Sequence, residues 1–122
     1  MKVYENYNQV TMMVWEMNPR KRNENNVIKV NSKVEINVGD VILGDLKMDI
    51  QFSEFTIEKI IESRPSSLKG YTYYTLQTAF KYASAQKYIG KLSSRTESRV
   101  EGMLRAKEEE ESKKKKQYHA AS

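Results

Sequence analysis

Lys69-Gly70-Tyr71-Thr72-Tyr73-Tyr74-Thr75-Leu76-Gln77-Thr78-Ala79-Phe80-Lys81-Tyr82 is the stretch on which the reading of this chain turns. It holds four of the eight tyrosines, with lysines at both ends. The run reads as a β-strand, because β-branched and aromatic side chains fit a pleated, half-buried surface. On a strand, Tyr71, Tyr73 and Thr75 share one face, and Thr72, Tyr74 and Leu76 share the other. One face must be core, so the other displays at least one ring. Rings on a strand with cations beside them form a surface on which nucleic-acid bases stack. The same tyrosines also suit an ordinary half-buried sheet.

Working upstream, the loop Arg64-Pro65-Ser66-Ser67-Leu68-Lys69-Gly70 is rich in turn residues. Before it, Phe55, Ile57, Ile60 and Ile61 fit a strand over about 55–63 better than a short helix, since their β-branched side chains favour strands. The two strands then form a hairpin with a long loop. Residues 27–38 alternate, with Ile28, Val30, Val34, Ile36 and Val38 on one face, as a strand or as a hairpin broken at Asn31-Ser32. Gly39-Asp40 and Gly44-Asp45 read as tight turns on either side of Val41-Ile42-Leu43. Residues 9–17 read as a further strand, with Val10, Met12 and Val14 opposite Met13, Trp15 and Met17. A polar loop with a basic tip, Arg20-Lys21-Arg22, follows Asn18-Pro19.

Downstream of Tyr82 the pattern changes. Residues 83–92 carry no strand signal, and Ser94 with Glu97 has capping-box spacing for a helix start. Val100, Met103 and Leu104 give a narrow apolar stripe. Glu109, Glu110 and Glu111 each precede a lysine by four residues, the favourable order on a helix. The division expected is a β-rich core over 1–92, a helix with a charged extension over 93–116, and a fraying tail over 117–122. The fold class expected is α+β with β dominant: a small antiparallel sheet or barrel followed by a C-terminal helix.

Composition narrows the function. Without cysteine, disulfides and thiolate chemistry are excluded, and the chain suits a reducing cytoplasm. No apolar run is long enough to cross a bilayer and the N-terminus carries no secretory signal, so a soluble, intracellular protein is expected. The formal net charge is +5, but residues 1–90 carry 12 basic against 10 acidic side chains. A basic surface must therefore come from local clustering.

Little points to catalysis. The single histidine, His119, lies near the C-terminus, where geometry for general base chemistry is hard to hold. Asp40, Asp45 and Asp49 are spaced closely enough to suggest a divalent cation, but two of them follow glycine in turn-like steps. No nucleophile elbow, phosphate-cradling loop or metalloprotease spacing is present. The expectation is a binding protein with no cofactor and no metal.

Lys69-Gly70-Tyr71-Thr72-Tyr73 shares a basic-Gly-aromatic-small-aromatic spacing with the RNA-recognition motif, but Tyr74 and Thr75 then depart from it. No helix separates this strand from the preceding one, and the family is not assigned. A small barrel that stacks bases in the OB-fold manner fits the strand-rich order better. Tyr71, Tyr73 or Tyr74 would stack bases, while Lys69, Arg64, Arg20, Lys21, Arg22 and Lys81 would meet phosphate. The competing expectation is a protein-binding adaptor or small inhibitor, of the kind encoded by viruses and mobile elements. It would use the Met12, Met13, Met17 and Trp15 patch. An edge strand could also pair two copies into a homodimer.

Overall fold

A computed structural model describes residues 1–16 and 26–121, with side chains described for 1–13 and 26–111. Six strands form one sheet: β1 (Val3–Glu5), β2 (Val10–Glu16), β3 (Asn26–Ser32), β4 (Val41–Lys47), β5 (Gln51–Pro65) and β6 (Thr72–Ser84). Their spatial order is β1-β4-β5-β6-β3-β2. Every neighbouring pair is antiparallel except β1 with β4, which is parallel. A short 3-10 helix (Ala85–Tyr88) leads to one long helix, α1 (Ser94–Ala121). The class is α+β with β dominant, as the sequence pattern indicates.

The sheet curls into a half-barrel. β1 and β2 stand at opposite ends of the strand order, yet Tyr4 and Val10 share one core and a bridge joins Asn6 to Val10. The period-2 alternation of the strands fills the inside. Ile28 and Val30 of β3, Phe55 and Ile57 of β5, and Tyr74, Leu76 and Phe80 of β6 pack there with Tyr4, Val10 and Ile42.

A second core forms outside, at one end of the sheet only. Val41 and Leu43 of β4, Phe52 of β5 and Ala83 of β6 lie under Tyr88 and Val100, with Met103 and Leu104 packed against them. This explains why Val41-Ile42-Leu43 is apolar throughout: Ile42 points inward, and its two neighbours point outward under the helix. The apolar stripe expected for α1 is the face it buries.

Several local expectations are corrected. Gly44-Asp45 is no turn. It lies inside β4, where the register with β5 shifts between Leu43 and Leu46. A Cβ at Gly44 would come within 3.2 Å of Ser53 Cβ and 3.3 Å of the Phe55 ring, so a larger residue there would press on both neighbours. The strand expected over 55–63 is longer, running through Gln51–Pro65. β3 stops at Ser32, so Val34 and Val38 are exposed while Ile36 is buried. β6 continues to Ser84, where the sequence shows no strand signal.

The cap of α1 sits one residue earlier than expected. The Ser93 hydroxyl accepts the Thr96 N–H at 3.4 Å, and Glu97 turns back to accept the Gly90 N–H at 3.0 Å. Ser93 is chosen because the buried Glu5 carboxylate holds it, accepting its N–H at 2.7 Å and its hydroxyl at 3.1 Å. The Thr96 hydroxyl also donates to Glu5. One carboxylate on β1 thereby fixes the start of the helix on the sheet. The helix assignment extends through residues 117–121, which the sequence reading placed in the tail.

Candidate functional site

The outer face of the sheet has two halves, and the site candidate lies on the half that the α1 core does not reach. Three antiparallel strands meet there in register: Asn31 of β3 pairs with Tyr73 of β6, and Tyr73 pairs with Arg64 of β5. All three side chains fall on the outer face, because Ser63, Tyr74 and Val30 in the adjacent row fall on the inner one. The Arg64 guanidinium lies 4.5 Å from the centre of the Tyr73 ring, a cation–π stack. Glu62 pairs with the Arg64 side chain, with Nε to Oε1 at 3.3 Å. Tyr71, just before β6, has the Lys33 ammonium 5.8 Å from its ring centre. The Thr75 hydroxyl donates to the Tyr73 hydroxyl at 3.4 Å.

Beside Tyr73 is a recess of about 450 Å³ lined by Met13, Asn31, Arg64, Pro65, Ser66 and Tyr73. Met13 reaches it because Val10 and Met12 turn into the inner core, so alternation along β2 turns Met13 outward, at the position where the register with β3 shifts. Met13 is 46% exposed. Asn31 is buried at the recess, with its Oδ1 accepting the Ser66 hydroxyl at 2.9 Å and its Nδ2 donating to Met13 Sδ at 3.3 Å. Ser66, in turn, accepts the Leu68 N–H at 3.1 Å, which shapes the loop between β5 and β6.

The structure brings together only some of the residues that the sequence singles out. Tyr73 and Arg64 are stacked, and Tyr71 lies near them at the start of β6. Lys69 is exposed in the adjoining loop. Tyr74 points the other way: it is 5% exposed in the inner core, where its hydroxyl accepts the Ile36 N–H at 3.3 Å. Lys81 lies eight residues along β6 from Tyr73, about 26 Å at strand rise. There it pairs with Glu54 at 3.6 Å. Arg20, Lys21, Arg22 and Met17 lie outside the described residues. Asn31, Ser66 and Lys33 join the candidate surface although the sequence does not flag them, and Met13 joins it although the sequence suggests it only for a protein partner. The one signal available is polar Asn31 and Lys33 on the face opposite Val30.

Buried ionisable groups elsewhere serve the fold. Glu54 is buried beneath the outer core, where it accepts the Tyr88 hydroxyl and pairs with Lys87 at 3.3 Å. Burial first, then the hydrogen bond to Glu54 and its charge, push the Tyr88 hydroxyl well above the ordinary tyrosine range. Asp40 joins β1 to β4. It accepts the Lys2 N–H at 3.1 Å, the Tyr4 hydroxyl at 2.9 Å and the Asn37 N–H at 3.0 Å. Burial alone would raise its pKa, but these hydrogen bonds outweigh burial and hold the carboxyl below its usual value. Burial and Asp40 together raise the Tyr4 hydroxyl.

Asp40 is therefore engaged by the fold, while Asp45 and Asp49 are exposed. Among the described residues, no group of three or more His, Cys, Asp or Glu stands where it could hold a metal ion. Among the same residues, no helix is long and apolar enough to cross a membrane. Compared with known proteins, the chain matches no family model, no curated protein and no solved structure.

Proposed function

We propose that this is a non-enzymatic binding protein that holds single-stranded nucleic acid, without strict sequence preference, on the outer face of β3, β6 and β5. The observation that carries this reading is the Arg64 guanidinium stacked 4.5 Å over Tyr73 on a sheet face outside the helix-covered core. A guanidinium on a ring extends the flat surface available to a base and brings charge to the adjoining phosphate. Tyr71 with Lys33, and Lys69 in the loop, continue the aromatic and cationic surface toward one end of the sheet. The contribution of Arg64 is moderated by Glu62, so affinity should come from stacking as much as from charge. A cysteine-free chain fits action in a reducing cytoplasm.

The test is fluorescence anisotropy of a labelled single-stranded oligonucleotide, titrated with the full chain at two salt concentrations. Binding should weaken as salt rises, since displaced counterions drive phosphate contacts. No binding at low salt would sink the proposal. The exposed Met13 on the terminal strand β2 would then make a protein partner, added along that edge, the next reading to pursue.

A further inference from the structure

The recess beside Tyr73 is built to do more than stack. Asn31 is 8% exposed, and its carboxamide is the most buried polar group lining the recess. A carboxamide offers two N–H donors and two acceptor lone pairs. In the structure, Oδ1 spends one lone pair on the Ser66 hydroxyl, at 2.9 Å. The donor observed on Nδ2 goes to the Met13 thioether at 3.3 Å, and sulfur is a weak acceptor. A better acceptor entering the recess would gain more from that N–H than Met13 does. Asn31 therefore retains the capacity for a donor–acceptor pair toward a ligand, and Tyr73 with Arg64 supplies a flat wall next to it. Met13, on the outer face of β2, supplies an apolar, polarisable wall.

We infer that the recess takes one nucleobase of the bound strand, with Asn31 reading its edge and adenine preferred. This rests on the nucleic-acid reading above and specifies its base contact. Adenine fits on two counts. Its N6 amino group donates to Oδ1 while its N7 accepts from Nδ2, the bidentate pairing that an asparagine amide matches. Guanine presents the acceptor O6 where adenine presents a donor, so the same edge sets two oxygens against each other. Pyrimidines present a smaller ring to the Tyr73 and Arg64 wall. The recess volume of about 450 Å³ leaves room for a purine. The surface as a whole stays sequence-tolerant, because a single base position is read.

The experiment compares oligo(dA), oligo(dC) and oligo(dT) of one length for binding to the full chain, to Asn31→Ala and to Asn31→Asp. The wild-type protein should favour oligo(dA) by roughly tenfold. Asn31→Ala should lose that ratio, its affinity for oligo(dA) falling to about that for oligo(dT). If thermal melting shows Asn31→Ala unfolded, Asn31→Asp keeps the shape and replaces the donor with an acceptor. Its added charge opposes the phosphates of every oligonucleotide, and with no donor left for adenine N7 its dA/dT ratio should also fall to about one. Equal binding of the three by wild type, or a preference that survives both substitutions, overturns the base-reading role and leaves the stacking surface standing. Binding of none of the three overturns both.

Discussion

The two halves of the sheet's outer face share β5 and β6 and serve opposite ends. At one end, Phe52, Val41, Leu43 and Ala83 disappear beneath Tyr88 and α1, and even the charge of Glu54 is enclosed by Tyr88, Lys87 and Lys81. At the other end, the same β5 and β6 carry Arg64 and Tyr73, which stack on each other outside that core. Strands alternate faces all along their length, so an uncovered outer half would be expected to be plainly polar. Here it holds aromatic rings, a thioether and a buried amide. Side chains that cost solvation and are not used by the core are the ones to suspect of meeting a partner.

The comparison breaks most visibly through Phe52→Ala. Phe52 is buried and meets the Tyr88 ring edge-on, with centroids 6.2 Å apart. Its loss should cost about 3–5 kcal/mol of stability, read from urea denaturation. Tyr73→Ala should show the reverse pattern. It should weaken oligonucleotide binding by about 1–3 kcal/mol, the usual worth of one stacked base. Its stability should fall only by about 0.5–1 kcal/mol, for the lost cation–π stack. If Tyr73→Ala unfolded the protein as readily as Phe52→Ala, the two halves would not differ as described.

Asp40→Asn probes a third kind of residue, one used by the fold and away from both halves. It should cost about 1–2 kcal/mol at neutral pH, since a buried carboxylate with three donors is replaced by an amide that cannot accept them all. The folded carboxyl has a lowered pKa, so its ionised form stabilises the fold at pH above the unfolded value. That contribution is lost as pH falls through the folded value. Acid unfolding of the Asn variant, followed by circular dichroism, should therefore be less steep, and the two stabilities should converge toward low pH.

Smaller effects sharpen the same picture. Arg64→Gln should reduce the slope of log affinity against log salt by about one, as expected for a lost phosphate contact. An unchanged slope would restrict Arg64 to stacking. Ending the chain at Glu111 removes three lysine partners of Glu109, Glu110 and Glu111, each pair worth a few tenths of a kcal/mol on a helix. Thermal melting should shift little, and the dependence of binding on Tyr73 should persist.

What the sequence made legible follows from how local each feature is. Alternation alone separates Tyr73 from Tyr74, although it does not say which of them faces the core. That depends on Leu76 and Phe80 meeting Ile28 and Phe55 from other strands. The spacing of Val100, Met103 and Leu104 locates the buried face of α1 without further information. Gly44-Asp45 misleads because the same dipeptide suits a turn and a bulge, and the pairing of Leu43 and Leu46 with β5 decides between them. Ser93 rather than Ser94 caps α1 because of Glu5, 88 residues earlier in the chain. The recess was hidden for the same reason. Asn31 is 18 residues from Met13 and 35 from Ser66, and no local pattern announces that the three will meet.

The measurement that tests the central claim most directly is an NMR titration of the isotopically labelled full chain with a short single-stranded oligonucleotide, following backbone amide shifts. Shifts that cluster at Asn31, Arg64, Ser66, Tyr73 and Thr75, with Phe52, Tyr88 and Val100 unmoved, are what a binding surface on the uncovered half predicts. Shifts confined to α1, or none at saturating oligonucleotide, would contradict it.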